Sequence, residues 1–577
     1  MASSKACIAN LLLGAVPALA KLNCPLYGLD YPTPTSLLSA PGVQAAAAAL
    51  DTVFPQYIDN ATGNLSVGAE HFSYSVEVFA ASEDKPLWSH YWTAPNLPEL
   101  NSTGVSKVDG DTVYRLGSVT KVYTVLAFLA EVGDSSWNEP ITKYVPELRA
   151  MADEARVNGA TSHSILTTDW DAITIGALAS QMSGLTRDYA LLGELTQQAT
   201  VTNLTYVGFP PIPQAEVPPC GNYFICNRSQ FFEGLKRTPP SFAPFVTPTY
   251  SDVGYAILAY ALEEMAGKSF QSIVENRIIK PLNLTHTFYK TPNDSLGIIP
   301  GNRYMTNWAF DMGNESPTGN MYASASDLST LGRAILRSSL LPEALTRRWL
   351  KPAILSSDPK SAVGIPWGAG SLGKYSTVLA VIPDFGIGFS IIAAGDMPSG
   401  LTMGLADTLS STYLPTMQYT AREQANRTYC GSYASSSRTL NSSLSIGVDR
   451  QKPGLGLNHW FSNGTDMLRL SVAIGQNVSS DYWEHMEPSV RLYPTGRWDA
   501  MPDGGKRVAF KAVFEDLSGP NVTRPFSTDC STWVYVSGVM YGSKPLDLFI
   551  FHMDAAGNVT SVENAALRNR LDKVESS

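Results

Sequence analysis

Ser118 and Lys121 stand three positions apart in the run Tyr114-Arg115-Leu116-Gly117-Ser118-Val119-Thr120-Lys121-Val122-Tyr123-Thr124-Val125-Leu126-Ala127-Phe128-Leu129-Ala130. Residues i and i+3 share a helix face, so the amine can reach the hydroxyl and supply it with a base. From Val122 to Val132 the run is apolar nearly all round, which predicts a helix buried inside a domain. Lys121 then sits where the chain enters the core, and burial is expected to lower its pKa toward the neutral, proton-accepting form. The same spacing recurs at Ser82/Lys85, Ser357/Lys360 and Ser371/Lys374, but only the Ser118 copy follows a strand-like stretch, Thr112 to Leu116, and opens a long apolar helix. Taken alone, the pair equally fits a helix-capping serine with a lysine that snorkels to solvent.

The elements around this run come in the order strands, helices, strands. Phe72 to Val78 alternates at the strand period, and Trp88 to Trp92 reads as its partner. Helices are predicted around Val43 to Phe54 and over Ile173–Met182, Val253–Met265 and Asp327–Leu336, with Asp327 as the N-cap of the last. Strands return at Tyr375–Ile382 and Ile387–Ala394 across the turn Pro383-Asp384-Phe385-Gly386. After about Thr420 the texture changes to short alternating runs: Leu444–Val448, Leu468–Ile474, Val508–Phe514 and Leu546–Ile550, with Asn463-Gly464 as a hairpin turn. This predicts a small all-β domain, a sandwich or a barrel.

With 577 residues, two domains are expected; 44% hydrophobic and 16% charged residues describe a folded chain, and a net charge of -10 argues against nucleic acid as a partner. Lys5 followed by the apolar stretch Ile8–Ala20 reads as a secretory signal over 1–20, and no segment is long enough to span a bilayer, so a secreted, extracellular protein without a membrane partner is expected. Asn60, Asn64, Asn101, Asn203, Asn227, Asn283, Asn293, Asn314, Asn426, Asn441, Asn463, Asn477, Asn521 and Asn558 each sit in an Asn-x-Ser/Thr glycosylation acceptor. Cys7 leaves with the signal. In an oxidising compartment Cys220 is expected to pair with Cys226 and Cys430 with Cys530, leaving Cys24 over. The scattered histidines form no metal-ligand spacing, so no metal and no cofactor is expected.

The Ser118 run, Leu178-Ala179-Ser180-Gln181-Met182-Ser183-Gly184-Leu185, Tyr250-Ser251-Asp252-Val253-Gly254-Tyr255 and Pro383-Asp384-Phe385-Gly386-Ile387-Gly388 together resemble the serine β-lactamase and penicillin-binding-protein superfamily, in its secreted fungal, class C and esterase-like branch. The resemblance implies an α/β (α+β) fold: a transpeptidase-like antiparallel sheet with a helical lobe over residues 21–415, followed by the all-β domain over 416–577. It implies Ser118 as acyl-accepting nucleophile, Lys121 as proton acceptor and Tyr250 as proton shuttle to the leaving group. Asp252 replaces the usual asparagine of the Tyr-Ser-Asn motif at a substrate-contacting place. Where relatives carry Lys/His-Thr/Ser-Gly on a strand, this chain reads Trp367-Gly368-Ala369-Gly370-Ser371-Leu372-Gly373, without the cation and with little room for the strand. Gly370 and Ser371 are the residues left to line the substrate, with Ser371 N-H beside Ser118 N-H as oxyanion donors. The implied activity is a serine hydrolase or acyltransferase that forms an acyl-enzyme on Ser118 from an ester, amide or lactam, its partner a small molecule or peptide. The alternative is a catalytically impaired binding protein, motivated by the degenerate strand.

Overall fold

A computed structural model describes the chain except residues 1–20, 60–70, 101, 162–163, 193, 198–207, 223, 359–360, 397, 438, 477, 520–529 and 575–577. The signal over 1–20, with Cys7, and the acceptors Asn60, Asn64, Asn101, Asn203, Asn477 and Asn521 lie outside the described residues. The chain divides into two compact units, Ser36–Leu414 and, together with the segment up to Thr35, Pro415–Ser577.

In the larger unit, β1 (Phe72–Ala80), β2 (Trp88–Trp92), β3 (Gly370–Leu372), β4 (Tyr375–Ile382) and β5 (Ile387–Gly395) form an antiparallel sheet in the order β2-β1-β5-β4-β3. Every residue of β1 and β5 is buried, which requires cover on both faces of the sheet. Helix α1 (Pro41–Asp59) contributes Phe54 against Trp88, ring centroids 4.6 Å apart, and Asp51 accepts from the Trp88 indole at 2.8 Å. Four further helices matter: α2 (Thr120–Val132), α3 (Asp252–Ala266), α4 (Ala325–Leu336) and, in the other unit, α5 (Met467–Gly475). α4 packs on β1 and β5. Gly332 lets it come close, since a Cβ there would fall 2.1 Å from the Phe79 ring, and Ser329 Oγ lies 3.0 Å from Ser390 Oγ. The N-cap of α4 is Ser324, not Asp327: Ser324 Oγ accepts from Asp327 N, and the Asp327 carboxylate accepts from His286 N and Thr287 Oγ1 instead. α2 and α3 lie side by side in the core, buried along most of their length as their all-round apolar character requires.

The smaller unit is a closed barrel of β6 (Gly431–Ala434), β7 (Ser443–Gly447), β8 (Leu455–Ser462), β9 (Pro488–Ala500), β10 (Lys506–Asp516), β11 (Leu548–Met553), β12 (Val559–Asn564) and β13 (Asn569–Lys573). β6 pairs with β7 and β13, and β7 pairs with β8, so the antiparallel ladder closes on itself and no long edge is left. Its core holds Phe510 and Phe551 at 5.0 Å and Trp460 and Phe549 at 5.2 Å. Leu468–Ile474 is not a strand but α5: Asp466 caps it through Leu468 N and Arg469 N, and Met467, Ser471, Val472 and Ala473 are buried. A short apolar run satisfies both periods, and the cap decides between them.

The cysteine pairing also differs from expectation. Cys220 bonds to Cys226, but Cys530 bonds to Cys24 and Cys430 is the free thiol. Cys24 is held in place by its own N-H, which donates to Glu515 at 2.9 Å, while Asn23 donates to Glu515 and Ser489. Burial pushes the Cys430 thiol up to about 11. Asn314 is no open glycan acceptor, since its Nδ2 donates to Cys226 O and its Oδ1 accepts from Tyr260 Oη. Among the described residues, no helix is long and apolar enough to cross a membrane.

Candidate active site

The turn that presents Ser118 is fixed from both sides. The strand Val113–Arg115 pairs with Tyr322–Ser324, Leu116 N donates to Met321 O at 2.9 Å, and Thr120 Oγ1 accepts from Met321 N at 3.0 Å. Gly117, at φ +54°, adopts the left-handed conformation that turns the strand into the 3-10 turn Gly117–Val119 and then α2. Lys121 falls in the first turn of α2, one helical step beyond Ser118 on the same face.

Tyr250 arrives from the stretch just before α3. Ser251 caps that helix, its Oγ accepting from Gly254 N at 3.0 Å. Gln181 holds the preceding backbone: its side-chain oxygen accepts from Ser251 N at 2.7 Å and its carbonyl from Thr249 N at 2.8 Å. Gln181 itself sits at φ +62°, a left-handed conformation that costs a non-glycine residue about 1 kcal/mol or more and persists only where surroundings enforce it. It stands in the Leu178–Leu185 motif, yet nothing in the residue types marked it as the clamp on Tyr250.

Three functional atoms meet. Lys121 Nζ lies 3.1 Å from Ser118 Oγ and 2.7 Å from Tyr250 Oη, and the two oxygens hydrogen-bond to each other. The amine also donates to Thr318 O at 3.0 Å and pairs with Asp252 Oδ1 at 2.5 Å. Lys121 is 2% exposed, whereas Tyr250 is 39% exposed, so the cluster opens to solvent on the tyrosine side. Burial alone would lower the Lys121 pKa; the adjacent Asp252 carboxylate and the Tyr250 oxygen more than offset it, and the net direction is upward. The expectation of a neutral amine is therefore corrected: Lys121 holds its proton, because its counter-ion is buried with it.

Asp252 is likewise not in the cleft. Its side chain is 5% exposed and faces Lys121, so it is a partner of the amine rather than a group that presents itself to substrate. The strand for which the sequence left little room does form, as β3 at the edge of the sheet, Ser371 opposite Ser376. Glycines permit its approach to the nucleophile: a Cβ on Gly370 would fall 2.6 Å from Ser118 N, and one on Gly117 2.8 Å from Ser371 N. Lys374, past the turn after β3, pairs with Asp396 at 2.7 Å. Besides Lys121, a second cation stands over the tyrosine: the Arg187 guanidinium lies 5.0 Å from the Tyr250 ring centroid and is largely exposed.

Behind Asp252 stand two acids that sequence reasoning missed, Asp188 and Glu315. Burial and Asp252 push the Asp188 carboxyl up to about 7. Glu315 is raised well above the usual carboxylate range by burial, then by Asp188 and Asp252, and accepts from Tyr189 N at 3.1 Å.

Residues 74–409 match the family model described as Beta-lactamase, and residues 421–575 match the one described as Beta-lactamase-like-like, C-terminal domain. The "Beta-lactamase-like protein" of Arthroderma benhamiae is 26% identical over 601 aligned positions, covering 95% of this chain and 96% of its own. "Probable hydrolase clz13" of Cochliobolus lunatus is 23% identical, covering 86% and 85%. Among solved structures, a D-stereospecific amidohydrolase from Streptomyces sp. aligns at 18% identity over 65% of this chain and 99% of its own, with a TM-score of 0.43. With more than half its length matched by that first model, over the very unit in which Ser118, Lys121 and Tyr250 converge, the chain belongs to the beta-lactamase family.

Proposed function

We propose that the protein is a serine hydrolase or acyltransferase that works through an acyl-enzyme on Ser118. The observation that carries this reading is the convergence of Ser118 Oγ, Lys121 Nζ and Tyr250 Oη within hydrogen-bond reach of one another at a solvent-facing point. Lys121 and Tyr250 act as a coupled pair that is ready when it has given up one proton. Asp252 favours leaving the remaining proton on the amine, which makes the phenol oxygen the acceptor. Ser118 Oγ then attacks an acyl carbonyl while its proton passes to Tyr250 Oη, and the Lys121 ammonium stabilises the charge gathered there. The carbonyl oxygen takes up negative charge between Ser118 N-H and Ser371 N-H, an arrangement supported by the close passage of β3 along Gly117 and Ser118. As the tetrahedral centre collapses, the bond to the leaving group breaks and Tyr250 returns the proton to it. Water, or an acceptor alcohol or amine, repeats the sequence on the acyl-serine and restores the enzyme.

An ester, amide or lactam satisfies this chemistry. The tie of Lys374 to Asp396 favours substrates that do not depend on an amine from that strand to hold a carboxylate. Secretion is part of the proposal, supported by the two disulfides and by the apolar run after Lys5. Incubation with a fluorophosphonate probe, followed by peptide mass spectrometry, tests the assignment. The label is expected on Ser118 and absent from Ser118→Ala; labelling that survives this substitution would overturn it.

A further inference from the structure

The segment Thr186–Asp188 is laid across the start of α3. Ser251 Oγ donates to Thr186 O at 2.6 Å, and Asp252 N and Val253 N both donate to Arg187 O, at 2.7 and 3.2 Å. These bonds set the next side chain, Asp188, at the buried start of α3 beside Asp252, where Asp188 Oδ1 is buried without a hydrogen-bond partner among the described residues. Both are nearly sealed from water, at 7% and 5% exposure. A second carboxyl buried beside an anion ionises reluctantly, and burial together with Asp252 pushes Asp188 up to about 7. Asp252 is the counter-ion of Lys121, so the ionisation of Asp188 beside it changes the charge that the amine faces.

We infer that Asp188 is a positioning residue for acylation: through Asp252 it sets the negative charge facing Lys121, and with it the pH at which the Lys121–Tyr250 pair gives up the proton that makes it a base. The inference rests on the Ser118 acyl-enzyme reading. Protonated, Asp188 leaves a single negative charge opposite the ammonium. Ionised, it adds a second, which holds the proton on the pair and delays the basic form to higher pH. The groups around Asp188 agree with a gate of this kind. Arg187 Nε approaches Asp188 Oδ2 at 3.3 Å but is largely exposed and half-turned to Tyr250, so water screens it. Lys121, from α2, acts on it across Asp252, and Glu315, from the turn before the Ser316–Gly319 helix, adds a buried acid raised well above the usual carboxylate range by burial and by its two acidic neighbours. Pushed up to about 7 by burial and Asp252, the Asp188 carboxyl is the member of the cluster placed to change charge near neutrality.

The rate of Ser118 labelling by a fluorophosphonate, followed from pH 5 to 9, tests the inference on the full chain. Wild type and Asp188→Asn, which keeps the shape but cannot ionise, are expected to label at equal rates at acid pH. Above neutrality the variant is expected to be faster by about threefold or more, because one charge near a buried site is worth at least that factor. Superimposable rate profiles, with both proteins labelled at Ser118, would overturn the role of Asp188 and leave the acyl-enzyme standing. Absence of labelling in the wild type would instead remove the reading beneath it. Should Asp188→Asn fail to fold, Asp188→Ser, smaller and equally unable to ionise, supplies the second arm: the same excess rate above neutrality is expected, and a profile superimposable on wild type contradicts the inference.

Discussion

At Lys121 two effects oppose each other. Burial disfavours an ammonium, and a carboxylate at 2.5 Å favours it; the second prevails. Replacing Asp252 by Asn removes the counter-ion while keeping the shape, so the amine surrenders its proton more readily. The acid limb of the kcat/KM profile against pH is expected to shift to lower pH, and an unchanged limb would show that Asp252 does not govern the amine. Because breaking a buried pair leaves one charge uncompensated, the same variant is expected to lose about 3 kcal/mol of stability in denaturant unfolding at neutral pH. Asp188 and Glu315 carry a stability signature of their own. Their folded-state values are raised, so the folded chain retains protons that the unfolded chain releases above its ordinary carboxylate range. Protons bound by the folded state in excess mean that stability falls as pH rises, for Asp188 between about 4 and about 7. Asp188→Asn is expected to flatten that fall, measured as the unfolding midpoint at pH 5 against pH 7.5; an equally steep fall would assign it to other groups.

At the scale of elements, the nucleophile depends on how closely β3 runs beside the Gly117–Val119 turn. Gly370→Ala puts a methyl 2.3 Å from Leu116 O and 2.6 Å from Ser118 N, both backbone atoms that cannot swing aside. The strand must move outward. A loss in kcat of about a hundredfold is expected, the usual consequence of withdrawing an oxyanion donor, with labelling by small probes reduced in step. Wild-type turnover in Gly370→Ala would separate β3 from the reaction. How legible these elements were follows from what each depends on. α2 and α3 declared themselves through unbroken apolar faces, and Tyr250 through its place before α3. β3 is three residues long and owes its existence to pairing with β4 across a tight turn, which no local pattern encodes. α5 was hidden because the run Leu468–Ile474, apolar or small except for Arg469, suits either period, and Asp466 had to be seen bonding to Leu468 N to settle it. Gln181 and Asp188 act through backbone geometry and through contacts with residues about 70 positions away, beyond the reach of motif and spacing.

The molecule as a whole consists of a unit that holds every catalytic candidate and a barrel closed without them. The long-range disulfide belongs to the barrel unit, where Cys24 and Cys530, 506 positions apart, are joined. Parity in the mature sequence showed that one cysteine is odd, not which one. Non-reducing peptide mapping is expected to recover Cys24 linked to Cys530 in both wild type and Cys430→Ser, and a Cys430–Cys530 peptide would contradict the pairing. Cys24→Ser is expected to cost about 2–5 kcal/mol of stability by releasing a long loop in the unfolded chain.

The most direct test of the whole account is a stopped-flow experiment with an activated neutral ester such as p-nitrophenyl acetate, coupled to intact-mass and peptide analysis of quenched protein. The account predicts nitrophenolate release together with one acetyl group per chain carried on Ser118, both abolished in Ser118→Ala. Release that continues undiminished in Ser118→Ala, or an acetyl group found on another side chain, would contradict it.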